Sequence, residues 1–261
     1  NGCSDDISQN ILMPDELIIT LDNYVDVTCF GFSDGAINTT ISGGTPIYNI
    51  NWTGPNGYTS NSADISGITD GNYNLSVLDN NNCPATLNVT IGQAGIVVSS
   101  FDLSTYSTFN ISCNGYNDGI INSNTTGGSP PYNYNWSGPN SFTSTDEDIF
   151  NLYAGVYNVD VTDANGCTTP NQITLNEPTP LVSVLQNHSD ISCYYESDGF
   201  IETSAFGSID NTYSYSWEGP NLFFSNQADI YNLSDEGLYT LTVTDANQCI
   251  STVDYDLQKP E

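Results

Sequence analysis

The segment Pro131-Tyr132-Asn133-Tyr134-Asn135-Trp136-Ser137-Gly138-Pro139-Asn140 recurs as Ile47 to Asn56 (IYNINWTGPN) and as Thr212 to Asn221 (TYSYSWEGPN). A chain that carries one signature three times in order folds as an array of similar units. Within each copy three large residues alternate with small polar ones: Tyr48, Ile50, Trp52, then Tyr132, Tyr134, Trp136, then Tyr213, Tyr215, Trp217. A period of two places all three on one face of a strand and turns the intervening Asn and Ser to water. The segment therefore reads as a half-buried strand ending in a Gly-Pro-Asn turn. A rival reading, a row of rings for stacking sugars, is weaker, because large apolar residues alternating with polar ones are what a sandwich core requires.

The cysteines keep the same beat. Cys29, Cys113 and Cys193 open successive units, 84 and 80 residues apart, and Cys83, Cys167 and Cys249 close them. The spacing divides the chain into residues 15–94, 95–179 and 180–261, with residues 1–14 expected to be the last strand of a preceding repeat. Asn1-Gly2-Cys3 matches Asn165-Gly166-Cys167, so Cys3 is expected to have its partner upstream. The Pro-and-acid segments between units, such as Asn176-Glu177-Pro178, are short and stiff, which favours neighbours in line. Units of this size bury too little surface to be robust without a covalent staple.

The order of signals inside a unit repeats three times. Val27/Cys29, Ile111/Cys113 and Ile191/Cys193 set the first cysteine on an apolar strand face. Ser33-Asp34-Gly35, Asn117-Asp118-Gly119 and Ser197-Asp198-Gly199 follow as tight turns. The third unit departs at Phe206-Gly207-Ser208-Ile209-Asp210, where the others have Gly-Gly, so its loop is expected to differ. After the tryptophan strand come Asp64-Ile65, Asp148-Ile149 and Asp229-Ile230. A Gly-x-Tyr step then leads into strands beginning at Tyr73, Tyr157 and Tyr239, the pattern of an immunoglobulin tyrosine corner. In the last strand Cys83 and Cys249 share the parity of the apolar residues, so both cysteines of a unit are read as facing its core. That reading pairs Cys29 with Cys83, Cys113 with Cys167 and Cys193 with Cys249. A loop of about 55 residues closed this way is worth roughly 4 kcal/mol in the chain-entropy model. The expected fold is all-β: tandem immunoglobulin-like antiparallel β-sandwich repeats of about 82 residues, each with one internal disulfide and a core built on Trp52, Trp136, Trp217, Tyr73, Tyr157 and Tyr239.

Charge narrows the function. Thirty-one acidic residues stand against one Lys, Lys259, and no Arg. Nothing here neutralises phosphates, so nucleic acid is excluded as a partner. No apolar run approaches the roughly 18 residues of a membrane span. Regular cysteines in such a chain indicate disulfides in an oxidising compartment. Acidic surfaces attract divalent cations, and Asp34, Asp118, Asp198, Glu16 and Glu177 lie in equivalent turns or near unit boundaries. They are candidate calcium ligands, although an Asp-Gly turn needs no ion and no cofactor is required. His188, the only histidine, has no counterpart in the other units and reads as a surface residue. Asp146 and Asp148 resemble a glycosidase pair, but Asp146 is Ser62 in the first unit. No acid, base or nucleophile recurs three times, and arrays seldom triplicate an active site, so the chain is not expected to be an enzyme.

Taken together, Ser-Asp-Gly, Gly-Gly-Thr-Pro-x-Tyr-x-x-x-Trp-x-Gly-Pro-Asn-Gly-Tyr-Thr-Ser (Gly43 to Ser60), Asp-Ile-Ser-Gly-Ile (Asp64 to Ile68) and Thr162-Asp163-Ala164-Asn165-Gly166-Cys167 resemble the SprB repeat of Bacteroidetes surface proteins. The resemblance covers nearly the whole chain. It implies a large extracellular adhesin of the bacterial cell surface, exported by type IX secretion and used in gliding. On that reading the segment is a stiff stalk whose partners are its neighbouring repeats, with a surface polysaccharide or other adhesion target possible. The alternative is a carbohydrate- or protein-binding module presenting the loop aromatics Tyr58, Phe142 and Phe223.

Overall fold

The computed structural model describes residues 13–209 and 211–260. Cys3 and nearly all of the segment expected to end a preceding repeat lie outside the described residues.

Seven strands recur three times. The first set is β1 (Ile18–Val25), β2 (Gly35–Ser42), β3 (Asn49–Thr53), β4 (Thr59–Ser60), β5 (Ile65–Ile68), β6 (Gly71–Leu78) and β7 (Pro84–Ile91). The second is β8 (Val98–Leu103), β9 (Gly119–Thr126), β10 (Asn133–Gly138), β11 (Phe142–Ser144), β12 (Ile149–Leu152), β13 (Gly155–Thr162) and β14 (Thr168–Leu175). The third is β15 (Thr179–Ser189), β16 (Gly199–Ser208), β17 (Tyr213–Gly219), β18 (Phe223–Ser225), β19 (Ile230–Leu233), β20 (Gly237–Asp245) and β21 (Ile250–Leu257). The strands of the first set lie within residues 15–94 and those of the second within 95–179, while β15 starts at Thr179.

Each set makes one three-stranded sheet, in the order β1-β2-β5, and one four-stranded sheet, in the order β4-β3-β6-β7. The pairings within them are antiparallel, with Trp52 opposite Leu75 and Tyr73 opposite Val89. This is the immunoglobulin-like plan with the short fourth strand moved onto the sheet of the tryptophan strand. After β1 the chain also makes a parallel bridge, Val27 to Gln93, beside the end of β7.

Period two decides which side chains meet. Ile37, Ile65 and Ile68 from one sheet pack against Trp52, Tyr73, Leu75, Val77, Val89 and Ile91 from the other, all buried. The third repeat does the same with Ile201, Ile230, Trp217, Tyr239, Leu241, Val243 and Leu257. Trp52, Trp136 and Trp217 are at most 1% exposed, as are Tyr73, Tyr157 and Tyr239. Burial obliges the ring N–H and O–H groups to find partners. Trp52 donates to Ser62 O at 3.1 Å and Trp136 to Asp146 O at 3.0 Å. Each tyrosine donates to the carbonyl four residues back, Thr69, Tyr153 or Asp235, at 3.0 Å, which completes the tyrosine corner. The glycine of Trp-x-Gly-Pro-Asn lies flush on that ring: a Cβ at Gly138 would stand 2.5 Å from Tyr157 Cδ1.

The altered third loop keeps the backbone of the other two at its first two glycine positions, and differs from them at Asn211, whose φ is also positive. Gly43-Gly44 and Gly127-Gly128 both have positive φ, and so do Gly207 and Ser208, at 94° and 64°. The chain groups into two compact units and not three. One runs to Val98 and includes Thr126–Tyr132 and Thr162–Thr169; the other comprises Ser99–Thr125, Asn133–Val161 and the chain from Pro170.

Candidate functional site

The turns that carry the cysteines recur in all three repeats. The opening cysteine follows the parallel bridge and enters a tight turn, in which Phe32 N donates to Cys29 O at 3.1 Å and Tyr116 N to Cys113 O at 3.1 Å. Gly31 and Gly115 occupy the third position of this turn with φ +76°, the conformation that a type II turn demands there. In the third repeat Glu196 N still donates to Cys193 O at 3.0 Å, although Tyr195 replaces the glycine.

The aspartates of the Ser/Asn-Asp-Gly turns hold this loop from behind. Asp34 accepts from Thr28 N at 3.1 Å and from the Thr28 hydroxyl. Asp118 accepts from Ser112 N at 3.1 Å, and Asp198 from Ser192 N at 3.0 Å. The side-chain and backbone donors of Thr28 lower the pKa of Asp34, and those of Ser192 lower that of Asp198. Glu177, the candidate ligand at the boundary, accepts from Gly115 N at 2.6 Å, as Gln93 does from Gly31 N at 2.9 Å. Lys259 occupies the third equivalent position and places its Nζ 4.8 Å from the centre of the Tyr194 ring. The Glu16 backbone carbonyl lies so close to Gly43 that a Cβ there would stand 1.8 Å from its oxygen. Among the described residues no three His, Cys, Asp or Glu side chains converge as a metal site.

The closing cysteine sits in a turn built on a buried aspartate whose part sequence reasoning missed. Asp163 Oδ1 accepts from Asn165 N and Cys167 N, each at 2.9 Å, while Oδ2 accepts from Ser129 N at 2.9 Å. Asp79 makes the same three bonds, to Asn81, Cys83 and Thr45, each at 2.8 Å. Asp245 keeps the bonds to Asn247 and Cys249 at 2.8 Å and takes the Ser208 hydroxyl as its third donor. That hydroxyl compensates for the altered loop. Donors from Thr45 and Cys83 lower the pKa of Asp79. Burial alone would raise that of Asp163, but the N–H groups of Cys167, Ser129 and Asn165 outweigh it and the net shift is downward. The signal was present in the sequence as the Asp four residues before every closing cysteine.

The bridges differ from the expected pairing. Cys29 is bonded to Cys167 and Cys113 to Cys249, with Cα atoms 5.5 and 5.6 Å apart. Each bond joins the opening cysteine of one repeat to the closing cysteine of the next. The expected pairs Cys29–Cys83, Cys113–Cys167 and Cys193–Cys249 are not formed, and Cys83 and Cys193 are free and exposed. The reason is geometric. Val27 N bonds Gly92 O beyond the end of β7, whereas Cys83 precedes Pro84 at its start. Eight residues of strand put roughly 25 Å between the two ends, and a disulfide tolerates only about 7 Å between Cα atoms. Parity carries no information about which end of the strand a residue occupies, and Cys83 and Cys193, expected to face the core, are exposed.

The closing asparagine adds polar contacts to each bridge. Asn247 Nδ2 donates to Ser112 O at 3.2 Å, and Asn165 Nδ2 to Ser129 Oγ at 3.0 Å while lying 3.5 Å from Thr28 O. Phe30 and Phe32, with Ile96, Val97 and Thr168, line a shallow cavity beside Cys29–Cys167; Tyr116, Pro180, Leu181 and Ile250 do so beside Cys113–Cys249.

The remaining candidates fall elsewhere. Tyr58, Phe142 and Phe223 are half-buried and not exposed, each set edge-on against its corner tyrosine at 5.5, 5.5 and 5.3 Å between ring centres. His188 is exposed, as expected; its Nδ1 lies 2.7 Å from Tyr255 Oη, whose other partner is Asp190 at 2.9 Å. Burial and that carboxylate push Tyr255 up to about 12. No helix of the described residues is long and apolar enough to cross a membrane.

Among solved structures the chain is similar to Dpr2 immunoglobulin domains 1–2, solved in complex with DIP-Theta, at 12% identity over 92% of this chain and 99% of that one, with a TM-score of 0.31. It is similar also to the insect immune protein hemolin, at 13% identity over 95% and 73% of the two chains, again with a TM-score of 0.31. Scores this low carry no conclusion, and the fold rests on the strand order above. No curated protein matches the chain. Residues 21–57 and 105–141, at equivalent places in the first two repeats, match the family model of the SprB repeat, so the chain carries SprB repeats at these two places.

Proposed function

We propose that this chain is a load-bearing stalk segment of a repetitive bacterial cell-surface adhesin, serving surface attachment and gliding. The observation that carries the proposal is the interleaving of the two bridges, Cys29–Cys167 and Cys113–Cys249. A binding module needs only its own fold to be stable; covalent bonds from one repeat into the next add nothing to a ligand site but limit how far a pulled chain can lengthen. Further support comes from the SprB match and from disulfides, which persist outside the cell. The dense negative charge, −30 in total, keeps such an array soluble and self-repelling.

The carbohydrate-binding alternative loses its anchors, because Tyr58, Phe142 and Phe223 are engaged with the tyrosine corners. Glycan-array and surface-adhesion assays on the chain separate the readings. The stalk reading expects no specific binding by this segment. Specific binding abolished by Tyr58→Ala, Phe142→Ala or Phe223→Ala in a variant that still folds would overturn it.

A further inference from the structure

Among the described residues two cysteines, Cys83 and Cys193, take no part in the bridges, yet each sits in the framework that the bridged ones use. Asp79 accepts from Cys83 N at 2.8 Å and donates its own N–H to Cys83 O at 3.1 Å; Asp163 holds Cys167 in the same two ways, at 2.9 and 3.0 Å. Asn81 Nδ2 bonds Thr45 Oγ1 at 2.9 Å, as Asn165 Nδ2 bonds Ser129 Oγ, so the amide that accompanies a bridge is already in place beside Cys83. Cys193 closes the same Cys-to-fourth-residue turn as Cys29 and Cys113, with Asp198 behind it. The bridged cysteines Cys29, Cys113 and Cys249 are buried, whereas Cys83 and Cys193 are exposed.

Exposed apolar rings surround the second of these sites. Tyr194 and Tyr195 are 58% and 93% exposed; Tyr194 stands where Phe30 and Asn114 flank formed bridges, and Tyr195 where Gly31 and Gly115 do. Charge distinguishes the two sites: Lys259, the only cation, lies against Tyr194, while Asp15 and Glu16 stand at the position that Gly95 and Ile96 hold beside the Cys167 turn.

We infer that Cys193 and Cys83 are the two unmatched halves of a third junction of the same kind, and that the partner each takes is a further repeat of this fold. The Cys193 site receives the closing-cysteine turn of such a repeat, and the Cys83 site receives an opening-cysteine loop. The bond is an ordinary oxidation: two thiols lose two protons and two electrons to a disulfide exchange reagent such as oxidised glutathione, which is reduced to two thiols. This inference stands on the two observed bridges and not on the load-bearing reading, so either fails without the other.

The test uses the whole chain with Cys3→Ser throughout, in two further variants, Cys83→Ser and Cys193→Ser. Each is treated alone, and then both are mixed in equal amounts, in a glutathione redox buffer. The expected result is a covalent heterodimer in the mixture, joined Cys193 to Cys83 by non-reducing peptide mapping, at least tenfold more abundant than either homodimer. Random pairing gives twice as much heterodimer as either homodimer, and that ratio, or no covalent dimer at all, overturns the inference. Intact Cys29–Cys167 and Cys113–Cys249 peptides in the same digest show that each variant has folded.

Discussion

Ser123 is the place where the three repeats differ by a single hydrogen bond. Its Oγ is buried with no partner, although its N–H donates to Asp148 at 2.8 Å. In the other repeats the position is threonine. Thr39 Oγ1 donates to Ala63 O at 2.8 Å, and Thr203 Oγ1 to Ala228 O at 2.7 Å. A β-branched side chain has a more restricted χ1 than a serine, which favours the rotamer that makes this bond. Ser123→Thr is therefore expected to restore the bond, toward the carbonyl of Glu147, and to stabilise the chain by about 0.5–1.5 kcal/mol. Calorimetry should read this as a melting temperature higher by about 2–4 °C per kcal/mol; an unchanged or lower value would mean that the serine hydroxyl already has a partner.

The turn before each closing cysteine is the element on which the junction depends, and its aspartate makes it sensitive to acid. Asp79 and Asp163 have pKa values below the ordinary carboxylate range, so their contribution is fully present above about pH 4 and is lost as pH falls through the lowered values. The melting temperature is expected to be flat between about pH 5 and 8 and to fall below about pH 4. Asp163→Asn sets an amide N–H2 against donors and should cost about 1–3 kcal/mol at neutral pH, with a shallower fall in acid. An acid limb unchanged by the substitution would remove Asp163 from this role. The strands and corners around the turn were legible in the sequence, because a period of two declares itself within a few residues at Tyr134 and Trp136. The disulfide partners were not, because parity assigns Cys29 and Cys83 to a face and says nothing of height. Counting hairpins would have found it: with each turn reversing the chain, the turn after β1 and the turn before β7 lie at opposite ends of a seven-strand sandwich. Nor did the turn motif reveal that Asp34, Asp118 and Asp198 spend their carboxylates on neighbouring donors.

On the scale of the whole molecule the two bridges form an interlocked covalent network. They span 138 and 136 residues and overlap, since Cys113 lies inside the first loop and Cys167 inside the second. A pull on the oxidised chain has several covalent routes from Cys29 to Cys249. The shortest crosses both bridges, from Cys29 to Cys167, back over the 54 residues to Cys113 and on to Cys249; the routes through a single bridge follow 82 or 84 residues. Internal disulfides within each repeat would instead shelter each repeat separately and leave the linkers in series. Single-molecule extension between handles at Met13 and Lys259 tests the interleaving most directly. At about 3.5 Å per residue, the fully unfolded oxidised chain should reach about 200 Å between Cys29 and Cys249, against about 770 Å after reduction. An oxidised chain that extends to the reduced length, or one whose length changes on reduction in three equal within-repeat steps, would contradict the network.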